Sequence, residues 1–164
     1  NSLLAAIYSG HVAANAINTL AETKDCPNFE TYISEQEQVL EKRLQSKSRF
    51  SAVHVRHEIA KLLNDCLGIT RTEEKLLEGI KSVDYYISVS EKLIYDTDVS
   101  PYIGYSLKPM LLLARAILTS ALSRKETRGS HIREDYPQRS DEFALCSVCD
   151  YKNGEHHISY IKED

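Results

Sequence analysis

The chain has 164 residues, with 20 basic side chains against 24 acidic ones and a formal net charge of −4. That length suffices for one domain with a real core, or for a small domain plus appendages. The mildly acidic balance, spread along the chain, speaks against a nucleic-acid surface or a polybasic membrane anchor. The longest apolar run, Met110 to Leu122, is short of the ~20 residues a bilayer span needs and carries Arg115 in its middle, so no direct membrane span is expected.

Asn1 can cap a first helix, SLLAAIYSGHVAANAINTLAE, whose alanines and Gly10 allow close packing against something flat. So small and apolar a helix belongs inside a larger body. The chain opens without an initiator Met or a basic leader, so no signal peptide is expected and the sequence reads as part of something longer. After a break at KDCPN, Asn28 caps FETYISEQEQVLEKRLQ, where Tyr32, Ile33, Val39, Leu40 and Leu44 form a stripe among charges, as on a surface helix. From Ser51, Val55, Ile59, Leu62, Leu63 and Cys66 share one helix face, which ends at Gly68, a natural residue just past a helix terminus. Thr70 to Glu73 reads as a capping box, followed by Leu76, Ile80, Val83, Ile87 and Ile94 at helical spacing. A last helix is introduced by Ser100 and Pro101 and restarts near Pro109. It runs through Leu113, Ile117 and Leu122 towards Gly129.

Short connections between three amphipathic helices predict a mainly α chain, a three-helix antiparallel bundle preceded by the Ala-rich helix. Ile59, Leu63, Ile80, Ile87, Leu113 and Ile117 are its expected core. A β-hairpin closes the sequence, because Asn153-Gly154 between alternating runs predicts a two-residue type I′ turn that pairs Asp150 with His157 and Cys149 with Ile158.

Four cysteines are too sparse for a disulfide framework, so a reducing, cytoplasmic compartment is expected. The spacing of Cys146 and Cys149, with His156 and His157 following, resembles a metal site. The hairpin register, however, sends the two thiols to opposite faces, and no metal is expected there. His54 and His57 lie beside Glu58 on a helix with no third ligand placed, which favours a polar helix face. Tyr85 and Tyr86 read as packing residues. No nucleophile-base constellation and no glycine-rich phosphate loop can be drawn, so no catalytic residue is assigned.

The stretch from Arg124 to Asp141 packs arginines, acids and His131 around Gly129 and Pro137, with no helix or strand period. Its run SRKETRGSHIREDYPQRSDE resembles the closing signature of the flavoprotein subunits of succinate dehydrogenase and fumarate reductase, in which a long helix ends in an Arg-Lys-Glu-Ser-Arg-Gly-Ala-His run. Arg124, Lys125, Glu126, Arg128, Gly129, His131, Arg133, Asp135, Pro137 and Asp141 stand in its places, with Thr127 and Ser130 as departures. The opening NSLLAAIYSGHVAA is similar to the helix that ends the family's flavin-binding domain. L-aspartate oxidase is a cousin with a variant closing motif.

The resemblance implies an FAD-dependent oxidoreductase that exchanges hydride between flavin and a four-carbon dicarboxylate. It implies that 1–25 is the last helix of the flavin-binding domain, 26–50 a linking helix, 51–128 the C-terminal helical bundle and 129–164 a charged docking segment with the hairpin. The amides near Ser2 and Leu3 would then face the flavin's pyrimidine edge. The family's proton-delivering arginine would lie just upstream of Asn1. Glu126, Arg128, Gly129, His131, Arg133, Asp135, Arg139 and Asp141 would dock the bundle onto the flavin-binding part of the same polypeptide, with charge-assisted hydrogen bonds that need no regular backbone. Alone, the chain is expected to be inactive, to bind no FAD, and to cover its first helix by forming a homodimer. A free-standing helical interaction module is the alternative of a different class.

Overall fold

A computed structural model describes residues 2–19, 29–45, 51–93 and 101–162. Among the described residues five α-helices are followed by one hairpin: α1 (Ser2–Asn18), α2 (Glu30–Leu44), α3 (Ala52–Leu67), α4 (Glu73–Val89), α5 (Pro101–Ser123), β1 (Cys146–Lys152) and β2 (Glu155–Ile161). The chain divides into two compact units, Asn1–Gln36 and Glu37–Asp164. In the first unit, α1 leaves Leu4, Ile7, Tyr8, Val12 and Ile17 exposed. Its expected cap, Asn1, lies outside the described residues, as do Asn28, Ile94 and Ser100.

The second unit is built around α3, α4 and α5. Ser51 caps α3, its side chain accepting the His54 amide at 3.1 Å. Thr72 caps α4, accepting the Lys75 amide at 3.3 Å. The cap thus falls two residues later than the Thr70 box predicts, because the backbone of Arg71 is engaged elsewhere, by Ile132 and Glu134. Gly68 keeps a negative φ of −51°, so α3 ends without the left-handed residue expected there.

The helices run antiparallel. Going forward along α4, Gly79, Asp84 and the Glu91 just past its end meet Leu118, Arg115 and Lys108 of α5 in descending order. Gly79 lies where a Cβ would stand 3.0 Å from Cys66 Sγ of α3 and 3.2 Å from Leu118 Cδ2 of α5, so the missing side chain lets three helices close on one another.

The core consists of Ala52, Val55, Ile59, Cys66, Leu76, Val83, Leu93, Leu107, Leu111, Ala114 and Leu118, with Leu63, Ile80 and Ile87 partly buried against it. Leu113 and Ile117, expected inside, are 61% and 44% exposed. The reason lies in the helix phase. α5 is one helix from Pro101 with Pro109 inside it, and its buried face is Leu107, Leu111, Ala114 and Leu118, which turns Leu113 and Ile117 outward. Pro109 is exposed, where the loss of one backbone donor on the solvent side is tolerated.

The hairpin has the predicted register, with Asp150 opposite His157 and Cys149 opposite Ile158. Asn153 (φ 54°) and Gly154 (φ 85°) make its turn. β1 and β2 pack on α5. Arg115 ties them down, its Nε donating to Asp84 of α4 at 2.6 Å and its Nη1 meeting His156 Nδ1 of β2 at 3.0 Å.

Candidate functional site

The densest polar chemistry lies where the chain leaves α5. The first element is a tight turn: Arg128 and His131 exchange backbone hydrogen bonds of 2.8 and 2.9 Å around Gly129, whose φ of +58° suits glycine. Thr127 then fastens the return of the chain. Its amide donates to Gln138 O at 3.0 Å, its hydroxyl to Tyr136 O at 2.9 Å, and that hydroxyl accepts the Arg133 amide at 2.9 Å. The third element is a short parallel bridge in which Arg71 N donates to Ile132 O and Glu134 N to Arg71 O.

On this frame stand two ion-pair centres. Glu126 is completely buried, and its carboxylate receives Arg124 Nη1 at 2.8 Å, Arg128 Nε and Nη2 at 2.7 and 3.1 Å, and the Ser140 amide at 2.9 Å. Burial raises its pKa, but the hydrogen bonds from Arg128, Ser140 and Arg124 outweigh that and hold it at about 2. The second centre is Arg133, also fully buried, whose Nε and Nη2 donate to the two oxygens of Asp135, each at 2.7 Å. Its Nη1 is directed to the carbonyls of Ala121, Leu122 and Arg124 at 3.0 to 3.3 Å, the unpaired acceptors at the end of α5. Asp135 is held at about 2 by Arg133, helped by the Glu73 amide that donates to its Oδ2 at 2.8 Å.

Arg124, the last residue before Lys125 and Glu126, is the hub that the sequence reading left out of the site. Besides Glu126 it donates to Phe143 O, Leu145 O and Ser147 Oγ, each at 2.7 Å, and its guanidinium lies near the rings of Phe143 and Tyr160. It thereby joins α5, the closing segment and β1. Its position directly behind the helical run was the available signal. His131 is partly buried, with Nε2 3.1 Å from Arg124 O, which makes Nε2 the protonated nitrogen. Burial and the arginines at 71, 133 and 124 push its pKa below the usual histidine value.

Among the eight residues expected to dock the bundle, Glu126, Arg128, His131, Arg133 and Asp135 are therefore joined within the chain. Gly129, Arg139 and Asp141 are exposed. Within the chain Arg128 pairs with Glu126, and Arg133 with Asp135. Ser2 opens α1, whose first turn contains no acid; the side chains of Ser2 and Leu3 are outside the described set. His57 is exposed on α3, and no cluster of three or more His, Cys, Asp or Glu suited to a metal occurs among the described residues. Tyr85 and Tyr86 meet edge to face at 5.5 Å. They border an open groove of about 900 Å³ between α3 and α4 with Cys66, Lys75 and Glu78.

Comparison with known proteins agrees with this architecture. The family described as "Fumarate reductase flavoprotein C-term" matches residues 56–163. The fumarate reductase flavoprotein subunit of Helicobacter pylori is 30% identical over 118 residues, 69% of this chain and 16% of that protein. The succinate dehydrogenase flavoprotein subunit of Bacillus subtilis is 27% identical over 154 residues, 87% of this chain and 26% of that protein. L-aspartate oxidase of Pyrococcus furiosus is 34% identical over 96 residues, 58% of this chain and 17% of that protein. Among solved structures, a quinol-fumarate reductase superposes with a TM-score of 0.69 at 22% identity, covering 88% of this chain and 27% of that one. Adenylylsulfate reductase of Archaeoglobus fulgidus gives 0.71 at 20% identity, covering 93% and 28%. These two show the fold alone. The chain thus spans between about a sixth and a quarter of the relatives it matches.

Proposed function

Because this chain belongs to the fumarate reductase flavoprotein C-terminal family, we propose that it serves as the helical support of an FAD-dependent oxidoreductase acting on a four-carbon dicarboxylate, succinate or fumarate. The observation that carries the reading is the closing segment. Its signature residues form a mutually paired lock over the start of α4 and the end of α5, with Glu126 and Arg133 fully buried at its centres, as a rigid docking part requires.

In this reading 1–25 ends the flavin-binding domain, 26–50 links, 51–128 is the bundle, and 129–164 docks. Glu126, Arg128, His131, Arg133 and Asp135 fix the shape of the docking segment. Gly129, Arg139 and Asp141 present themselves to the flavin-binding part of the same polypeptide. The exposed apolar side chains of α1, Leu4, Ile7, Tyr8, Val12 and Ile17, are the surface that this part would cover. FAD, when bound to the intact protein, supplies the hydride chemistry. This chain's share would be the free amides at the start of α1, at Ser2 and Leu3. The first turn of the helix contains no acid, which fits an electron-rich ring edge. No helix among the described residues is long and apolar enough to cross a membrane. Cys66 and Cys149, neither of them in a disulfide, suit a cytoplasmic, reducing location.

The test is a flavin and turnover assay on the complete polypeptide that carries this segment. Bound FAD together with fumarate reduction from an artificial donor, or succinate oxidation, is the expected result. A complete polypeptide that oxidises L-aspartate and leaves both dicarboxylates untouched would move the reading to the cousin enzyme. One that holds no flavin would leave the interaction module.

A further inference from the structure

Beside the end of α3, the outward side of α5 and the closing segment lies a pocket of about 270 Å³, lined by Leu67, Arg71, Ile117, Ala121, Arg124 and His131 among others. Its lining mixes hydrocarbon with cations. The cations differ in how their charge is answered. Arg124 and Arg128 share Glu126, and Arg133 has Asp135. Arg71 is answered by carbonyls: Nη1 donates to Ser130 O at 3.0 Å and Nη2 to Leu67 O at 3.2 Å, with no carboxylate partner among the described residues. Burial depresses its pKa, as expected of a cation that has lost water and gained no anion.

A guanidinium has five N–H donors in a rigid fork that matches a carboxylate. Arg71 uses two of them, so the fork retains donors and a full charge beside Leu67, Ile117 and Ala121. The character of the walls selects the ligand. A phosphate brings a second charge that no other unpaired arginine among the described lining residues answers, and it must shed water against aliphatic carbon. One carboxylate on a short hydrocarbon stem satisfies both parts, with the head on Arg71 and the stem along Leu67 and Ile117.

We propose that this pocket is a binding site for a single carboxylate on a short apolar stem, with Arg71 as its charge partner. The proposal goes beyond the flavoprotein reading and stands without it. The carboxylate has two sources, a free short-chain monocarboxylic acid or an Asp or Glu side chain from elsewhere in the complete polypeptide.

Butyrate is the probe, with butyramide and inorganic phosphate as controls at constant ionic strength. Titration of the chain is followed through the methyl NMR signals of Ile117 and Ala121. Saturable butyrate shifts are expected, with both controls weaker by at least about tenfold, the loss of one charge-assisted contact. Arg71→Leu should abolish the response. Because Arg71 also joins α3 to the closing segment, a second pair at the exposed rim guards against misfolding: Ile117→Glu should weaken butyrate several-fold by repulsion, and Ile117→Gln should not. Absence of a saturable response, equal binding of butyramide, or an affinity indifferent to both Arg71→Leu and Ile117→Glu would overturn the proposal. Repeating the titration on the complete polypeptide identifies the source. A vanished response assigns the pocket to the protein's own acid, and a retained one to a free acid.

Discussion

Asp135 caps helix α4 from 62 residues away, its Oδ2 accepting the Glu73 amide at 2.8 Å. The same carboxylate is gripped by Arg133, whose other arm covers the last carbonyls of α5. One ion pair is thus strung between the positive start of one helix and the negative end of the next, each charge where the helix dipole favours it. Asp135→Asn leaves an acceptor for Glu73 but strands a buried guanidinium. Removing one partner of a buried pair costs about 3 kcal/mol, and urea unfolding should show a loss of that order.

Glu126→Gln should be as damaging, again by about 3 kcal/mol, because the neutral amide leaves two arginines facing a fully buried position with no charge to answer them. A Glu134→Gln control on the exposed side of the same segment should change the midpoint little. Equal effects of the two substitutions would show that the buried centre does not hold the segment.

The acid side of the stability profile follows from Glu126 and Asp135, both depressed to about 2 when folded. A depressed carboxylate contributes stability that is complete above its unfolded pKa and is lost as pH falls through the folded value. The loss should therefore run from about pH 4.5 down to about 2. His131 and His156 are depressed too, both chiefly by burial. The neutral imidazole is the folded form, so a smaller loss should begin as pH drops below about 6.5. Thermal unfolding between pH 8 and 2 should show both stages, and His131→Gln should shrink the first.

Leu118→Ala should cost about 3 kcal/mol, the usual range for a truncated core leucine, whereas Leu113→Ala on the same helix should stay within about 0.5. Reversed magnitudes would restore the helix phase expected from sequence alone.

The 164-residue chain by itself should neither bind FAD at micromolar concentration nor reduce fumarate. Amides at one helix start contribute about 0.3 to 1 kcal/mol, against the roughly 8 that such affinity demands. Flavin fluorescence and a dye-coupled assay test this directly. Sedimentation should in addition show a second copy covering the apolar side of α1.

Where sequence and fold agree, a strong local period or a unique turn decided the matter. Val55, Ile59 and Cys66 on α3, Leu76 and Val83 on α4, and the Asn153-Gly154 turn are of this kind. On α5 the expected face was wrong because the helix is apolar nearly all round: Leu111, Leu112, Leu113, Ile117 and Leu118 fit several faces, and packing against α3 and α4, with Leu118 against Gly79, selects one. The closing segment was legible as a charged, glycine-turned unit. Its partners were not, because Glu126 takes arginines two residues to either side and Asp135 takes an amide two helices back, separations that no periodic rule contains.

The fastening of this fold comes late in the order of synthesis. Asp135 and the carbonyl of Ser130 close on Glu73 and Arg71 across 62 and 59 residues, after every helix they hold has left the ribosome. A chain that has emerged only as far as Ser123 therefore has three helices whose facing ends are open, α4 at its start and α5 at its finish. Pairings this distant in sequence are slow to form, since the loop entropy is lost before the contact is gained. Between the emergence of Ser123 and of Asp141 from the ribosome the three helices can meet but cannot be latched, and in that interval chaperones and proteases have their opening.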